Sequence, residues 1–347
     1  MSDLQKKLYS ANRRMVAIGK ITSSRLQVLA RRGAIAARLG LQRLSGRLNR
    51  FWQRTQAYSK QAPKTVPRML QQLPRQLEQI RRAPADQDAN AAVSPVPATR
   101  QRTPRLPDGE CVYAIGDVHG RFDLLLQLFE SIEMDARQLP SDTRVTIVCL
   151  GDYIDRGMQS RQVIDLLMSD RFNAYETVFL MGNHEEALLK FRNDPGFGPI
   201  WARYGGIETM YSYGLQPPQI QGRIGGMDDP EVWQGIWDEF RQKLPSAHLE
   251  FYQSLKHYFS LGDYLFVHAG LRPHVPLEDQ TTKDMLWIRD EFLEDPFEFE
   301  HFIVHGHTPT DEVRRDNRRI GLDTGAYYSG QLTAAKFLGT DIAIIST

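Results

Sequence analysis

Six side chains carry the chemistry of this sequence: Asp117, His119, Asp152, Asn183, His268 and His307. Each stands in or beside a glycine-containing segment: Gly116-Asp117-Val118-His119-Gly120, Gly151-Asp152-Tyr153-Ile154-Asp155-Arg156-Gly157, Gly182-Asn183-His184-Glu185, His268-Ala269-Gly270 and His305-Gly306-His307-Thr308. Carboxylate, amide and imidazole donors without a thiolate suit Mn²⁺, Fe or Zn²⁺. A carboxylate shared by two such ions gives the two-metal arrangement, about 3.5 to 4 Å between ions, that serves phosphoryl transfer. One Asp-x-His is more often a turn or a cap than a ligand pair. Five such segments in order, each behind a strand-like run, point to a metal site.

Elements must deliver these donors to one place. Beyond Asp108 short apolar runs end in polar, Gly-containing turns and lead into helical stretches, the layout of an α/β fold. Strands are predicted over 111–115, 145–150, 177–181, 264–267 and 302–304. Helices are predicted from Phe122, over 163–168 and over 187–191. The donors therefore fall at the carboxyl ends of strands, where open α/β sheets bind ligands.

In its motifs the segment from Cys111 to Thr347 resembles the phosphoprotein phosphatase family of calcineurin-like metallophosphoesterases, with GDxHG, GDxxDRG, GNHE, HAG and a final His. The GHTP and LDTGA endings are most similar to the bacterial and bacteriophage serine/threonine phosphatase branch. The resemblance implies a four-layer α/β/β/α sandwich and two divalent ions, Mn²⁺ foremost, with Fe or Zn²⁺ as alternatives. It implies Asp117, His119 and His307 on one ion, Asp152 bridging, and Asn183 with His268 on the other. A hydroxide between the ions would attack phosphorus in line. His184 would protonate the leaving group, Asp155 would orient His184, and Arg156 would grip phosphate oxygens. Arg289 is the match for a second phosphate-binding arginine, with Arg272 as its rival, and His305 is assigned a supporting part.

A phosphorylated protein is the substrate this resemblance implies, and Asp155-Arg156 with Glu185 favour it. Met181 stands where the eukaryotic branch has Arg, so serine/threonine preference does not simply carry over. The alternative within enzymes is a dinucleoside tetraphosphatase-like nucleotide phosphohydrolase. From another class, a phosphate-binding recruitment module is the less favoured reading. Residues 193–246, rich in Gly, Trp and Tyr and including Trp201 and Tyr204, form an insertion that is either a cap over the site or a helical subdomain with its own aromatic core.

The rest of the chain is organised differently. The 347 residues include 43 Lys and Arg against 42 Asp and Glu, yet residues 1–107 carry +18 and residues 108–347 carry −17. Residues 1–82 are expected to form a basic, partly amphipathic helical arm, with Leu41, Leu44, Leu48, Phe51 and Trp52 on one face. Such an arm suits an acidic surface: anionic lipid, an acidic protein or nucleic acid. It could also fold back onto the acidic half. Residues 83–109, with Pro84, Pro95, Pro97, Pro104 and Pro107, read as a linker to a catalytic domain over 110–347. The composition, 41% hydrophobic and 24% charged, excludes collagen-like and wholly disordered classes. The chain offers no apolar run of the roughly 18 to 20 residues needed to span a bilayer. Two cysteines, Cys111 and Cys149, exclude a disulfide framework and, as buried thiols, fit a reducing cytoplasm, with the arm suited to a peripheral place at a membrane.

Overall fold

The computed structural model describes residues 103–217, the backbone of 219–220 and 223–224, and residues 229–347. The basic arm expected over 1–82, and any contact of it with the acidic half, lie outside the described residues.

Two five-stranded sheets form the centre. In the first, β1 (Glu110–Ile115) runs parallel to β2 (Arg144–Cys149), and β2 runs parallel to β3 (Glu176–Phe179). The second contains β7 (Tyr264–Val267), parallel to β8 (Phe302–His305), itself parallel to β10 (Arg319–Gly321). Antiparallel strands complete both: β11 (Thr333–Leu338) and β12 (Asp341–Ser346) the first, β6 (Tyr258–Leu261) and β9 (Arg314–Arg315) the second. The sheet orders are β12-β11-β1-β2-β3 and β6-β7-β8-β10-β9.

Side-chain alternation shows why the sheets stack. Successive residues of a strand face opposite sides, so Val112 and Ala114 of β1 join Val148, Tyr264, Phe266, Val304 and Phe337 in one apolar layer between the sheets. Cys111, Tyr113 and Ile115 face the other way. They meet helix α1 (Phe122–Ala136), through Leu124, Leu125, Leu128, Phe129 and Ile132, and α2 (Ser160–Leu167), through Val163, Ile164 and Leu167. The outer face of the second sheet, Leu265, Val267 and Ile303, is covered by Met285, Ile288 and Phe292. The result is the four-layer α/β/β/α arrangement. Both cysteines are buried, and burial pushes both thiols above the ordinary value, Cys111 to about 11.

Helix α3 (Asp170–Asn173) precedes β3, and after that strand come α4 (Asn183–Asn193), α5 (Gly198–Arg203), α6 (Gly206–Ser212), the two-residue strands β4 (Gln219–Ile220) and β5 (Arg223–Ile224), α7 (Pro230–Lys243) and α8 (Ser246–Ser254). Trp201, Trp233, Phe240 and Tyr213 of this stretch pack with Phe191 of α4 and belong to the core that covers the first sheet.

Residues 103–109, expected as the end of the linker, are docked instead. Leu106 is fully buried between the sheets, and its amide donates to the Gly339 carbonyl at 2.9 Å. The Arg105 amide donates to Asp263 at 3.1 Å, and the Tyr264 hydroxyl donates to the Pro104 carbonyl at 3.1 Å. Proline-rich composition concealed this, because one leucine between prolines is enough to fill a gap in the core.

Candidate active site

Each proposed donor sits where a parallel strand ends. Asp117 follows β1, Asp152 follows β2, Asn183 and His184 open α4 behind β3, His268 follows β7 and His307 follows β8. The backbone there is held in an unusual form. Six non-glycine residues among those described have positive φ, and five of them are His119, Asp152, Asp155, Arg156 and His307, with φ from 47° to 72°. That left-handed conformation is disfavoured for residues with a Cβ, and it concentrates at functional sites because the surroundings impose it. Close backbone approach helps impose it: a Cβ on Gly182 would strike the Asp152 carboxylate, and one on Gly306 would strike that of Asp117.

The buried donors form two groups that share one carboxylate. His119, Asp152 and His184 make the first, and Asp152, His268 and His307 the second; within each, the candidate ligand atoms lie within 4.8 Å of one another. The His268 Nε2 lies 3.4 Å from Asp152 Oδ1 and 3.1 Å from Asn183 Oδ1, which adds Asn183 to the second group. His307 therefore stands in the group of His268 and Asp152, where the expectation had set it with Asp117 and His119. The sheet order explains it: β7 and β8 are neighbours, and the Gly306 amide donates to the His268 carbonyl at 2.8 Å. Asp117 is buried beside the group, its two oxygens accepting from the His307 amide at 3.1 and 3.0 Å. Burial, reinforced by the neighbouring Asp323, pushes its carboxyl well above the ordinary range.

The donors fit divalent cations on an observation independent of motif. Both ring nitrogens of His307 are buried without a hydrogen-bond partner, an uncommon condition for buried polar atoms. Burial, with positive His268 nearby, holds this imidazole down to about 2, so it stays in the neutral, ligand-competent form. His119 is held the same way by burial and His184, while its Nδ1 bonds the Ile154 carbonyl at 2.9 Å. His268 Nδ1 bonds the Leu150 carbonyl at 2.9 Å. In both rings the second nitrogen is left facing the group, the arrangement by which backbone carbonyls fix metal-ligating imidazoles.

Beside the shared carboxylate lies a buried histidine–carboxylate pair. His184 Nδ1 and Asp155 Oδ2 are 2.7 Å apart and both residues are buried. Burial alone would lower the imidazole, but Asp152 and Asp155 outweigh it and hold His184 above the ordinary histidine value. Asp155 is anchored from the insertion. The Trp201 indole donates to it at 3.0 and 3.2 Å, and the Thr209 hydroxyl at 2.6 Å. Glu185 is a further positioning group: its carboxylate accepts from the amides of Gly182, Asp152, Tyr153 and Ile154 at 2.8 to 3.3 Å, welding the β2 and β3 turns together. The sequence had marked Glu185 and Trp201 without assigning these contacts, because both depend on segments distant in the chain. Asp323, of LDTGA, is a buried carboxylate near Asp117 and Asp152 that sequence reasoning left without a part.

The arginines sit at the rim. Arg156 Nη1 lies 2.7 Å from His119 Nε2, and its amide donates to the Gly205 carbonyl at 3.0 Å. Arg289 is exposed and reaches Thr308, next to His307, at 3.4 Å. Arg272 is already committed to Asp284 through Nε at 2.8 Å and Nη2 at 2.5 Å, which favours Arg289 over it. His305 packs edge-on against Phe292, and its Nδ1 bonds the Gly306 carbonyl at 3.0 Å.

Residues 112–342 match the calcineurin-like phosphoesterase family, a span of most of the chain. The chain belongs to that family. Among its relatives is bis(5'-nucleosyl)-tetraphosphatase PrpE [asymmetrical] of Anoxybacillus flavithermus, 26% identical over 243 residues that cover 64% of this chain and 89% of the relative. The protein of the same name from a Geobacillus species is 27% identical over 248 residues, with the same coverage of each. A solved structure of a putative diadenosine tetraphosphatase aligns with 68% of this chain and 93% of its own, at 21% identity and a TM-score of 0.46. A calcineurin-like phosphoesterase is a hydrolase that uses divalent metal ions, and the two donor groups that share Asp152 are the candidate place for them here. No helix among the described residues is long and apolar enough to cross a membrane.

Proposed function

We propose that this calcineurin-like phosphoesterase hydrolyses dinucleoside tetraphosphates. The observation that carries the chemistry is the buried His184–Asp155 pair set beside a carboxylate common to two donor groups. The names of the relatives support the substrate. Asp152, His119 and Asp117 would hold one divalent ion, and Asp152, Asn183, His268 and His307 the other. When bound, such ions supply an acidified water and neutralise phosphoryl oxygens. The chain's own groups do the rest. His184 delivers a proton from Nε2 to the departing oxygen, and Asp155 keeps the opposite nitrogen protonated and the ring aimed. Arg156 and Arg289 orient the phosphate chain from the rim with charge-assisted hydrogen bonds. Mn²⁺ remains the proposed metal because a thiolate-free set of three oxygen donors and three imidazoles suits it, as it does Fe or Zn²⁺.

A second reading, a phosphoprotein phosphatase, is favoured by the same His184–Asp155 pair. A serine or threonine alkoxide is a poor leaving group and needs a proton donor more than a phosphoanhydride does. Metal-stripped protein reloaded with Mn²⁺ should turn over dinucleoside tetraphosphate with at least about tenfold higher kcat/KM than a phosphoserine peptide. His184→Asn should depress the peptide reaction further than the nucleotide reaction. The reverse preference would overturn the nucleotide reading in favour of the peptide one. No turnover of either by metal-bound protein would leave the phosphate-binding recruitment module.

A further inference from the structure

A short helix closes the rim on the side of His119. In α11 (Ala326–Ser329), which follows α9 (Thr282–Trp287) and α10 (Asp290–Glu294) in the chain, Tyr327 and Tyr328 are 39% and 56% exposed, although the layer beneath them is buried. Large aromatics so exposed stand out beside a metal-ligand cluster. Their placement is specified. The Tyr327 ring meets the His119 ring edge-on with centroids 5.6 Å apart, and the Arg156 guanidinium carbon lies 4.9 Å from its centroid. Tyr328 meets Tyr327 edge-on at 4.9 Å and folds over Gly325, where a Cβ would collide with its ring. Gly325 has φ +68°, so the turn both permits that close approach and needs the residue.

The other aromatics of the rim are committed. Trp287 donates its indole N–H to Glu186 at 2.8 Å and packs on Tyr204 at 5.6 Å, and both rings are partly buried. Tyr327 and Tyr328 are the more exposed aromatics at this rim. They lie beside Arg156, the residue proposed to orient the phosphate chain.

We propose that Tyr327 and Tyr328 form a stacking platform for the nucleobase of a nucleoside phosphate held at the metal groups. The proposal deepens the nucleotide reading and rests on it. The two rings stand at 85° to each other, so a base stacked on one meets the other edge-on, and stacking of this kind is tolerant of base identity. Arg156 links the two parts of the site, its guanidinium lying against Tyr327 while its fork addresses the phosphate.

The test is calorimetric titration of the Mn²⁺-loaded full chain with AMP, with ribose 5-phosphate, which is the same phosphate ester without the base, and with phenyl phosphate. AMP should bind about tenfold more tightly than ribose 5-phosphate. The Tyr327→Leu/Tyr328→Leu protein should lose that preference, and Tyr327→Phe/Tyr328→Phe should restore it. Equal affinity for the two ligands in the unmodified protein, absence of AMP binding, or a preference that survives the leucine variant would overturn the platform. Phenyl phosphate bound as tightly as AMP would overturn the base and assign the platform to aryl phosphates. These readouts need no turnover, so an inability to hydrolyse dinucleoside tetraphosphate would refute the proposed function separately.

Discussion

Arg156 holds φ at 67° in a turn shared with Asp155 at 72°, and a side chain pays no part in relieving that conformation. Arg156→Gly should therefore be more stable than Arg156→Ala by about 1 kcal/mol, because only the Cβ penalises the left-handed region. Urea unfolding of the two variants measures the difference, and both should lose turnover. His305 carries a different signal. Burial lowers its imidazole from 6.5 to about 4. The native state keeps it neutral while the unfolded chain takes up a proton below about 6.5, so its contribution to stability is whole above that pH and is lost as pH falls towards 4. Between pH 6.5 and 4.5, His305→Asn should make the fall in unfolding free energy shallower by up to about 1.4 kcal/mol per pH unit. An unchanged slope would mean that the unfolded chain does not protonate there or that the site opens. The donors themselves were legible as residue types. What could not be read was which ring stands with which, since His307 reaches His268 only through the neighbour relation of β7 and β8.

At the scale of elements the strands were largely legible: β1, β2, β3, β7 and β8 fall within a residue or two of the apolar runs that announced them. Asn183 and His184 proved to lie in the first turn of α4 rather than before it. The reason is Glu185, whose carboxylate caps the helix at Gly182 and so draws its start forward. The packing of the insertion was not legible, because its aromatics join the core over the first sheet rather than forming one of their own. Trp201 and Trp233 lie in the core, yet Trp201 and Thr209 also hold Asp155. Thr209 is fully buried, and its hydroxyl also accepts from the Asp155 amide at 2.9 Å. Thr209→Val should cost about 1 to 3 kcal/mol by removing a buried hydrogen bond to a carboxylate, although Ser160 still pairs the Asp155 amide and Trp201 its carboxylate. It should lower kcat with KM nearly unchanged, because α6 acts through Asp155 on His184. A variant that raises KM alone would place α6 against substrate instead.

For the molecule as a whole, the boundary of the folded domain lies upstream of where composition put it. Leu106→Ala should destabilise by about 2 to 5 kcal/mol, the usual cost of emptying a buried leucine site. A chain beginning at residue 103 should melt as the full chain does, whereas one beginning at residue 108 should melt lower; equal melting of the two truncations would show that Leu106 contributes nothing. The difference in the salt dependence of activity between the full chain and the chain beginning at residue 103 then reports on the basic arm, without the confounding loss of core.

The hydrogen bonds from Trp201 and Thr209 to Asp155 carry one more consequence, for how such an enzyme can be altered. Segments that decorate an α/β scaffold are commonly treated as exchangeable parts, to be swapped when a different specificity is wanted. Here the decoration supplies the donors that hold Asp155 against His184, the proposed acid, so a grafted replacement would arrive without them. Retuning this protein requires keeping those two side chains and varying the surface around them.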